Sequence, residues 1–177
     1  MQTIKNISLA IVLLCCTSGC GESLNFKYEV PVAVIFDVPQ SEINQFTELT
    51  VTIENVITDF APFLEANGTA ANQVTSVQPG RCILSSAFGN VDMGFLNEIS
   101  VRARSNSDPN RVEEIFYFTD FRFQEGPDVP LISSAREVSD IMSEPTIDID
   151  VVMTFQGNPS VGNVAMDLDF TYIVFDQ

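Results

Sequence analysis

The 177-residue chain contains no histidine and no tryptophan. Without histidine, Ser-His-Asp and Cys-His nucleophile systems, a histidine general base and every zinc or haem site with a histidine ligand are excluded. The absence of tryptophan, the largest aromatic side chain for stacking on sugar rings, disfavours glycan recognition. Glycine-rich phosphate loops, Cys-x-x-Cys pairs and nucleophile elbows are also absent from the sequence. We therefore expect a protein that is not an enzyme and that uses no cofactor.

Basic residues are scarce, with 8 Lys and Arg against 24 Asp and Glu and a formal net charge of −16. Such a surface repels phosphate backbones, so we expect no nucleic-acid partner. It also repels anionic lipid headgroups, which excludes membrane binding through a basic patch.

Cysteine is nearly confined to the N-terminus, where Cys15, Cys16 and Cys20 lie, and only Cys82 remains in the body of the chain. A single body cysteine offers no disulfide framework. Because Cys82 lies in an apolar run, we predict a small buried apolar residue rather than a reactive thiol.

The N-terminus has the three parts of a secretory signal. Lys5 supplies a positive charge, residues 7–16 are almost entirely apolar, and the small residues Ser18 and Gly19 precede Cys20. The apolar run is about half the roughly twenty residues that a membrane-spanning helix needs. The segment therefore predicts an exported protein whose signal is removed.

The run Thr17-Ser18-Gly19-Cys20 resembles the lipobox of bacterial lipoproteins, and the resemblance covers residues 1–20 only. It implies that Cys20 receives a diacylglyceryl group on sulfur, becomes the new N-terminus and holds the protein at a membrane of the cell envelope. Gly21 stands where Asp would resemble an inner-membrane retention mark, which favours the outer membrane. Ordinary signal cleavage near Gly19, giving a secreted protein, is the alternative.

The full chain is predicted to consist of a signal peptide at residues 1–19, a lipidated tether at 20–26 and one folded domain at 27–177. Removal of residues 1–19 takes away Lys5 and no acid, so the net charge falls from −16 to −17. Runs of β-branched and aromatic residues alternate with turn clusters. We predict strands at Val30–Val38, Phe46–Val56, Gln73–Val77, Cys82–Ala87, Glu98–Arg104, Glu113–Phe123, Thr146–Phe155 and Val164–Phe175.

This spacing predicts an all-β protein, an antiparallel β-sandwich of the immunoglobulin-like or jelly-roll kind. One short helix is predicted at residues 134–143, with Ser133 or Ser134 as its cap and Pro145 after its end. Residues 59–66 are predicted to hold one or two further helical turns.

The last two strands are predicted to form a hairpin, because both alternate strictly around a Gly- and Pro-rich turn. Pairing Met153 with Met166 gives an apolar inner face. The same register places four aspartates on the outer face: Asp148, Asp150, Asp167 and Asp169. Carboxylates suit calcium, but a flat sheet face cannot surround a cation as a loop does. We therefore favour a solvated polar face over a calcium site.

Arg102 and Arg104 form the densest positive charge and point to one side of their strand. The favoured interpretation is that they neutralise neighbouring acidic strands. The alternative is a binding site for an anion or carboxylate, which arginine contacts through two hydrogen bonds.

The aromatic run at residues 115–123 places large side chains on both sides of one strand. The core accounts for one side but not for Phe116 and Phe118. Either a loop or helix covers these rings, with residues 134–143 as the candidate, or they form an exposed binding patch.

Together these features predict a lipid-anchored β-sandwich of the bacterial cell envelope that acts as a binding or accessory module. The candidate partners are an envelope protein and a glycan, of which the absence of tryptophan disfavours the glycan. The alternative is a small secreted enzyme or calcium-binding β-domain that uses surface carboxylates, since paired acids can catalyse glycoside hydrolysis.

Overall fold

The computed structural model describes residues 25–121, 126–159 and 162–176. Over these residues the chain is an all-β protein with antiparallel strand pairing. Its strands are β1 (Asn25–Val38), β2 (Leu49–Ile57), β3 (Val74–Ser86), β4 (Leu96–Ser105), β5 (Val112–Thr119), β6 (Asp128–Ser133), β7 (Thr146–Phe155) and β8 (Val164–Asp176). Cys20 and the rest of the signal region lie outside the described residues, so their processing stays a prediction.

The strands form one nearly closed sheet in the order β1-β8-β3-β6-β5-β4-β7-β2. We call β1, β8, β3 and β6 the first half-sheet, and β5, β4, β7 and β2 the second half-sheet. Only two residue pairs, Phe116 with Ser133 and Tyr117 with Ile132, join the halves among the described residues. The edge strands β1 and β2 also contact each other, which brings the two ends of the sheet together.

The core lies between the half-sheets because successive side chains of each strand point to opposite sides. In β1, Val30, Val32 and Val34 are buried whereas Pro31 and the following odd-numbered residues are exposed. The apolar sides of both half-sheets meet in one buried cluster.

Two short α-helices accompany the sheet, α1 (Phe60–Ala66) and α2 (Ser139–Met142). Single 3-10 turns occur at Gln40–Glu42, Ala71–Gln73 and Met93–Phe95. The turns predicted at residues 59–66 are confirmed as α1. Within the described ranges, neither helix approaches the length and hydropathy needed to cross a membrane.

The helix predicted at residues 134–143 is confirmed only over its last part. The Ser134 hydroxyl donates to the Glu114 carbonyl at 2.6 Å instead of capping a helix. Ala135 has a positive φ of 52°, which interrupts helical geometry. The Glu137 carboxylate then accepts the Val77 N–H at 3.1 Å and the Ser139 N–H at 3.0 Å, which fastens this segment to β3.

Two strand predictions need correction. The segments predicted at 73–77 and 82–87 are one strand, β3, because the chain forms a bulge at Gly80 and Arg81, between the paired residues Pro79 and Cys82, and not a turn. Strand β6 is missing from the prediction because Pro130 interrupts its pattern. Pro130 is tolerated there because β5 pairs with β6 only beyond it, at Ile132 and Ser133.

The predicted hairpin of β7 and β8 is wrong. Strand β7 pairs with β2 and β4, and β8 pairs with β1 and β3, so these strands belong to different half-sheets. Met153 lies opposite Leu49 and Ile99 instead of Met166. Alternation of apolar and polar residues fits any neighbouring strand that alternates in the same way, so it does not identify the partner strand. Between β7 and β8 the chain passes to the other half-sheet.

Candidate functional site

The outward surface of the second half-sheet, here called the second face, has a compensated charge pattern. Arg104 Nη2 lies 3.0 Å from Asp150 Oδ1 and 3.7 Å from Asp148 Oδ2. The Thr52 hydroxyl donates to Asp150 Oδ1 at 2.6 Å, and the Asn55 N–H donates to Asp148 Oδ1 at 3.0 Å. Arg104 therefore neutralises the acidic strand β7, which is the role predicted for it.

Arg102 is surrounded by oxygen atoms on the same face. Its Nε donates to the Ser100 hydroxyl at 3.2 Å, and this hydroxyl donates to Glu114 Oε2 at 2.6 Å. Glu48 and Glu98 line the same hollow of about 340 Å³. These carboxylates, like Asp148 and Asp150 beside Arg104, would repel a bound anion. The surroundings of both arginines therefore disfavour the anion-binding site that the sequence left as an alternative.

The predicted face of four aspartates, for which calcium binding was the less favoured interpretation, does not form. Asp148 and Asp150 lie on β7 in the second half-sheet, whereas Asp167 and Asp169 lie on β8 in the first. The error follows from the wrong strand pairing. Over the part of the chain that the structure describes, no group of three or more His, Cys, Asp or Glu side chains could hold a metal ion.

The outward surface of the first half-sheet, here called the first face, leaves its central aspartates uncompensated. Asp167 lies between Ile35 of β1 and Ser85 of β3, and Asp169 lies between Ala33 and Ile83. Asp167 Oδ1 is buried and has no hydrogen-bond partner in the described ranges. Burial, and secondly the charge of Asp169, raise the pKa of the Asp167 carboxyl.

Ile35 and Ile83 flank these aspartates on the first face, and Ile132 lies farther away on β6. Ile35 is 68% exposed, Ile83 41% and Ile132 49%. Ile83 and Asp169 line a hollow of about 500 Å³ together with Arg81. Ile35 and Ile83 lie on the two strands next to β8, and exposed apolar side chains so close to each other favour an interaction site.

The charge of the first face is mostly of one sign. Arg81 is its one described basic side chain; it is 77% exposed and lies 3.7 Å from Glu29. No ion pair joins Arg81 or any other described basic group to Asp167 or Asp169. The described carboxylates on this face are those of Glu29, Asp37, Asp128, Asp167 and Asp169.

The aromatic strand β5 does not form the exposed patch that the sequence allowed. Phe116 is fully buried, with its ring centroid 5.6 Å from that of Phe170. Phe118 is half-buried and packs edge to face against Phe121 at 4.6 Å. Val138 and Met142 surround the same internal space as Phe116. Residues 134–143 therefore cover this ring, and Phe116 is not a surface binding residue.

Two further carboxylates have structural roles that the sequence did not indicate. Glu144 accepts hydrogen bonds from the hydroxyls of Ser105 and Ser107 and from the N–H of Asn106 at 2.8 Å. Burial alone would raise the pKa of Glu144, but these bonds outweigh it and lower the pKa. The pKa of Glu137 is lowered in the same way, by bonds from Ser139, Ser76 and Val77 that outweigh burial. Both carboxylates fasten loops to strands.

Cys82 is buried in the core, 2% exposed. Burial, with a smaller contribution from the charge of Asp169, raises the pKa of its thiol. A thiol held in its protonated form is a poor nucleophile, which agrees with the packing role predicted for Cys82.

Comparisons with known proteins add little to this geometry. No protein-family model matches the chain, and no curated protein sequence matches it. Among solved structures, a chain described as Desmodium yellow mottle tymovirus is similar at 6% sequence identity and a TM-score of 0.27, covering 90% of this chain and 94% of that chain. This likeness is too low to bear on function.

Proposed function

We propose that the protein is a non-catalytic binding module of a bacterial cell envelope, anchored by lipid at Cys20, and that it binds its partner through the first face. The observation that carries the proposal is the combination of exposed Ile35, Ile83 and Ile132 with the uncompensated carboxylates of Asp167 and Asp169. Exposed apolar side chains are unfavourable in water, and the carboxylates are stabilised when a partner supplies them with donors or positive charge.

We further propose that the fold is a jelly-roll sandwich of two four-stranded sheets. The strand order supports this, because each half-sheet has four strands and the chain passes repeatedly from one half to the other. The two-pair junction of β5 and β6 also supports it, since it is short compared with the ladders inside each half. In a sandwich the outer faces stay free for partners while the inner faces form the core.

A non-catalytic role is supported by the state of the carboxylates. A general acid needs a raised pKa in a cleft, next to the bond that it protonates. The pKa values of Glu137, Asp140 and Glu144 are lowered, and each of these groups is engaged in hydrogen bonds that hold the fold together. Asp167, whose pKa is raised, lies on an outward sheet surface.

The short stretch of sequence between Cys20 and β1 limits how far a lipid at Cys20 would let the domain lie from the membrane. Asn25 begins β1, five residues after Cys20, and five extended residues span about 17 Å. A lipid at Cys20 would therefore keep this end of β1 near the membrane and leave the outer faces accessible from the side.

Cell fractionation of a Cys20→Ala variant tests the anchor. We expect the variant to leave the membrane fraction and to keep the melting behaviour of the mature domain, because the two acyl chains of the diacylglyceryl group supply the attachment. Retention of Cys20→Ala in the membrane fraction contradicts the anchor.

Site-specific photocrosslinking in cells tests the face. A photoreactive residue replaces Ile83 on the first face or Val112 on β5, whose exposures of 41% and 38% are nearly equal. We expect a discrete adduct from position 83 that disappears when Ile35→Ser is added and persists when Phe88→Ser is added. The proposal fails if position 83 gives no adduct, or if position 112 gives the same one.

A further inference from the structure

We infer that the partner of the first face is a protein segment in extended conformation that carries basic residues two positions apart. This inference rests on the proposed function, and it specifies the chemistry of the partner. It follows from the spacing of the acids, from the apolar groups beside them and from the sign of the charge.

The sign of the charge on the first face selects a cation. Five described carboxylates and one guanidinium lie on this face, and that guanidinium, on Arg81, already lies near Glu29. The Asp167 carboxylate lacks a hydrogen-bond donor at Oδ1 within the described residues, and a charged N–H donor that engages this carboxylate would form a strong hydrogen bond. An acidic partner would add repulsion to the same atoms.

The spacing of the acids selects an extended segment. Asp167 and Asp169 are alternate residues of β8 and point to the same side, which places their Cα atoms about 6 to 7 Å apart. Alternate residues of an extended partner lying along β8 have the same separation. Two basic side chains at such positions can therefore contact both carboxylates, whereas adjacent residues of a strand point to opposite sides.

The apolar residues beside Asp167 and Asp169 favour a partner whose basic side chains are long. Ile35 lies across from Asp167 and Ile83 across from Asp169, on the strands either side of β8. Lysine and arginine cover apolar surface with their methylene stems while the charged end reaches a carboxylate. A small cation would neutralise the aspartates but would leave both isoleucines exposed.

Peptide binding to the purified mature domain tests this inference. The probe is a capped, fluorescently labelled peptide in which three lysines alternate with threonines. A second peptide replaces lysine by norleucine, which keeps the stem and removes the charge, and a third places the three lysines consecutively. We expect the alternating lysine peptide to bind tightest, with affinity that falls as salt rises.

Paired variants separate the first face from the overall acidity of the protein. Asp167→Asn with Asp169→Asn, and Glu48→Gln with Glu98→Gln on the second face, remove the same net charge. We expect the first pair to weaken binding about tenfold, since two partly exposed ion pairs are lost, and the second pair about twofold or less. Thermal melting confirms that both double variants are folded.

The outcomes distinguish this inference from the proposed function. Equal losses from the two double variants mean that the peptide responds only to net charge, and they overturn the inference. Tighter binding of the norleucine peptide, lost in Ile83→Ser, overturns the basic partner but keeps the first face as the binding surface. Equal binding of consecutive and alternating lysines overturns the extended geometry.

Discussion

Both outer faces of the sheet carry aspartates in the middle of a strand, but the two faces differ in the donors that neighbouring strands supply to them. On the second face, Asp150 of β7 accepts bonds from Arg104 and Thr52 of the neighbouring strands. On the first face, Asp167 of β8 lies beside Ile35 and Ser85 and receives no described donor at Oδ1. The neighbouring strands, more than the aspartate itself, decide whether an acidic strand is stabilised within the protein or left open to a partner.

The first half-sheet can be disrupted without changing its charge by Gly80→Ala. A methyl group at Gly80 would collide with the Thr171 hydroxyl on β8 and would lie 3.1 Å from Ile173 Cγ1. We expect a loss of about 2 kcal/mol in the free energy of unfolding, measured in urea, because the strands must separate or shift. Gly157→Ala is the matched control, since nothing lies within 4 Å of its added methyl group. Equal stability of the two variants would show that β3 and β8 do not depend on this close approach.

The compensation on the second face can be removed by Arg104→Met, which keeps most of the stem and removes the charge. The Asp148 and Asp150 side chains, 22% and 15% exposed, would then repel each other without a cation. We expect a loss of about 1 to 2 kcal/mol, less than for a fully buried pair because water still reaches the carboxylates.

Arg81→Met is the corresponding change on the first face. Arg81 is 77% exposed and 3.7 Å from Glu29, so its loss should change the free energy of unfolding by less than about 0.5 kcal/mol. If Arg81→Met costs as much as Arg104→Met, the two faces do not differ in charge compensation.

The sequence predicts much of the fold, because alternation is a local signal. Exposed and buried positions along β1, β4 and β8 follow directly from it, as does the burial of Cys82. Strand pairing is not local. The inner residues of β7 and β8 would pack equally well in a hairpin, and only the complete set of strands decides that they lie in different half-sheets.

The candidate site could not be predicted from the sequence either, because it also depends on strand pairing. Asp167, Asp169 and Ile83 each look ordinary in the sequence, and Ile35 alternates like any half-buried strand residue. Their association needs β8 to lie between β1 and β3, which is a contact across more than 80 residues of chain. The role of Arg104 was easier to predict, because a basic residue in a strongly acidic chain is expected to pair with carboxylates, as Arg104 does with Asp150.

The difference between the faces is sharpened by Asp167→Asn, which we expect to stabilise the protein by up to about 1 kcal/mol. The change removes a carboxylate that faces the like charge of Asp169 and lacks a described donor at Oδ1. Asp150→Asn on the second face should instead destabilise it, because the ion pair with Arg104 is lost. A loss of stability in Asp167→Asn would mean that this carboxylate contributes to the fold. A gain, together with the weaker peptide binding expected for the double variant, would show stability exchanged for function.

The gain expected from Asp167→Asn should depend on pH. Because the folded-state pKa of Asp167 is raised, its ionised carboxylate destabilises the native state above that pKa, and the penalty disappears as pH falls below the ordinary carboxyl pKa of about 3.9. The advantage of Asp167→Asn over the parent protein should therefore be full at neutral pH and shrink on acidification, as urea unfolding at a series of pH values can measure. Glu137 and Glu144, whose pKa values are lowered, lose their stabilising contribution as pH falls through those lowered values. That loss is common to both proteins and cancels in the difference. An advantage that does not change with pH would mean that the amide gains a contact, and that charge on the first face is not the cause.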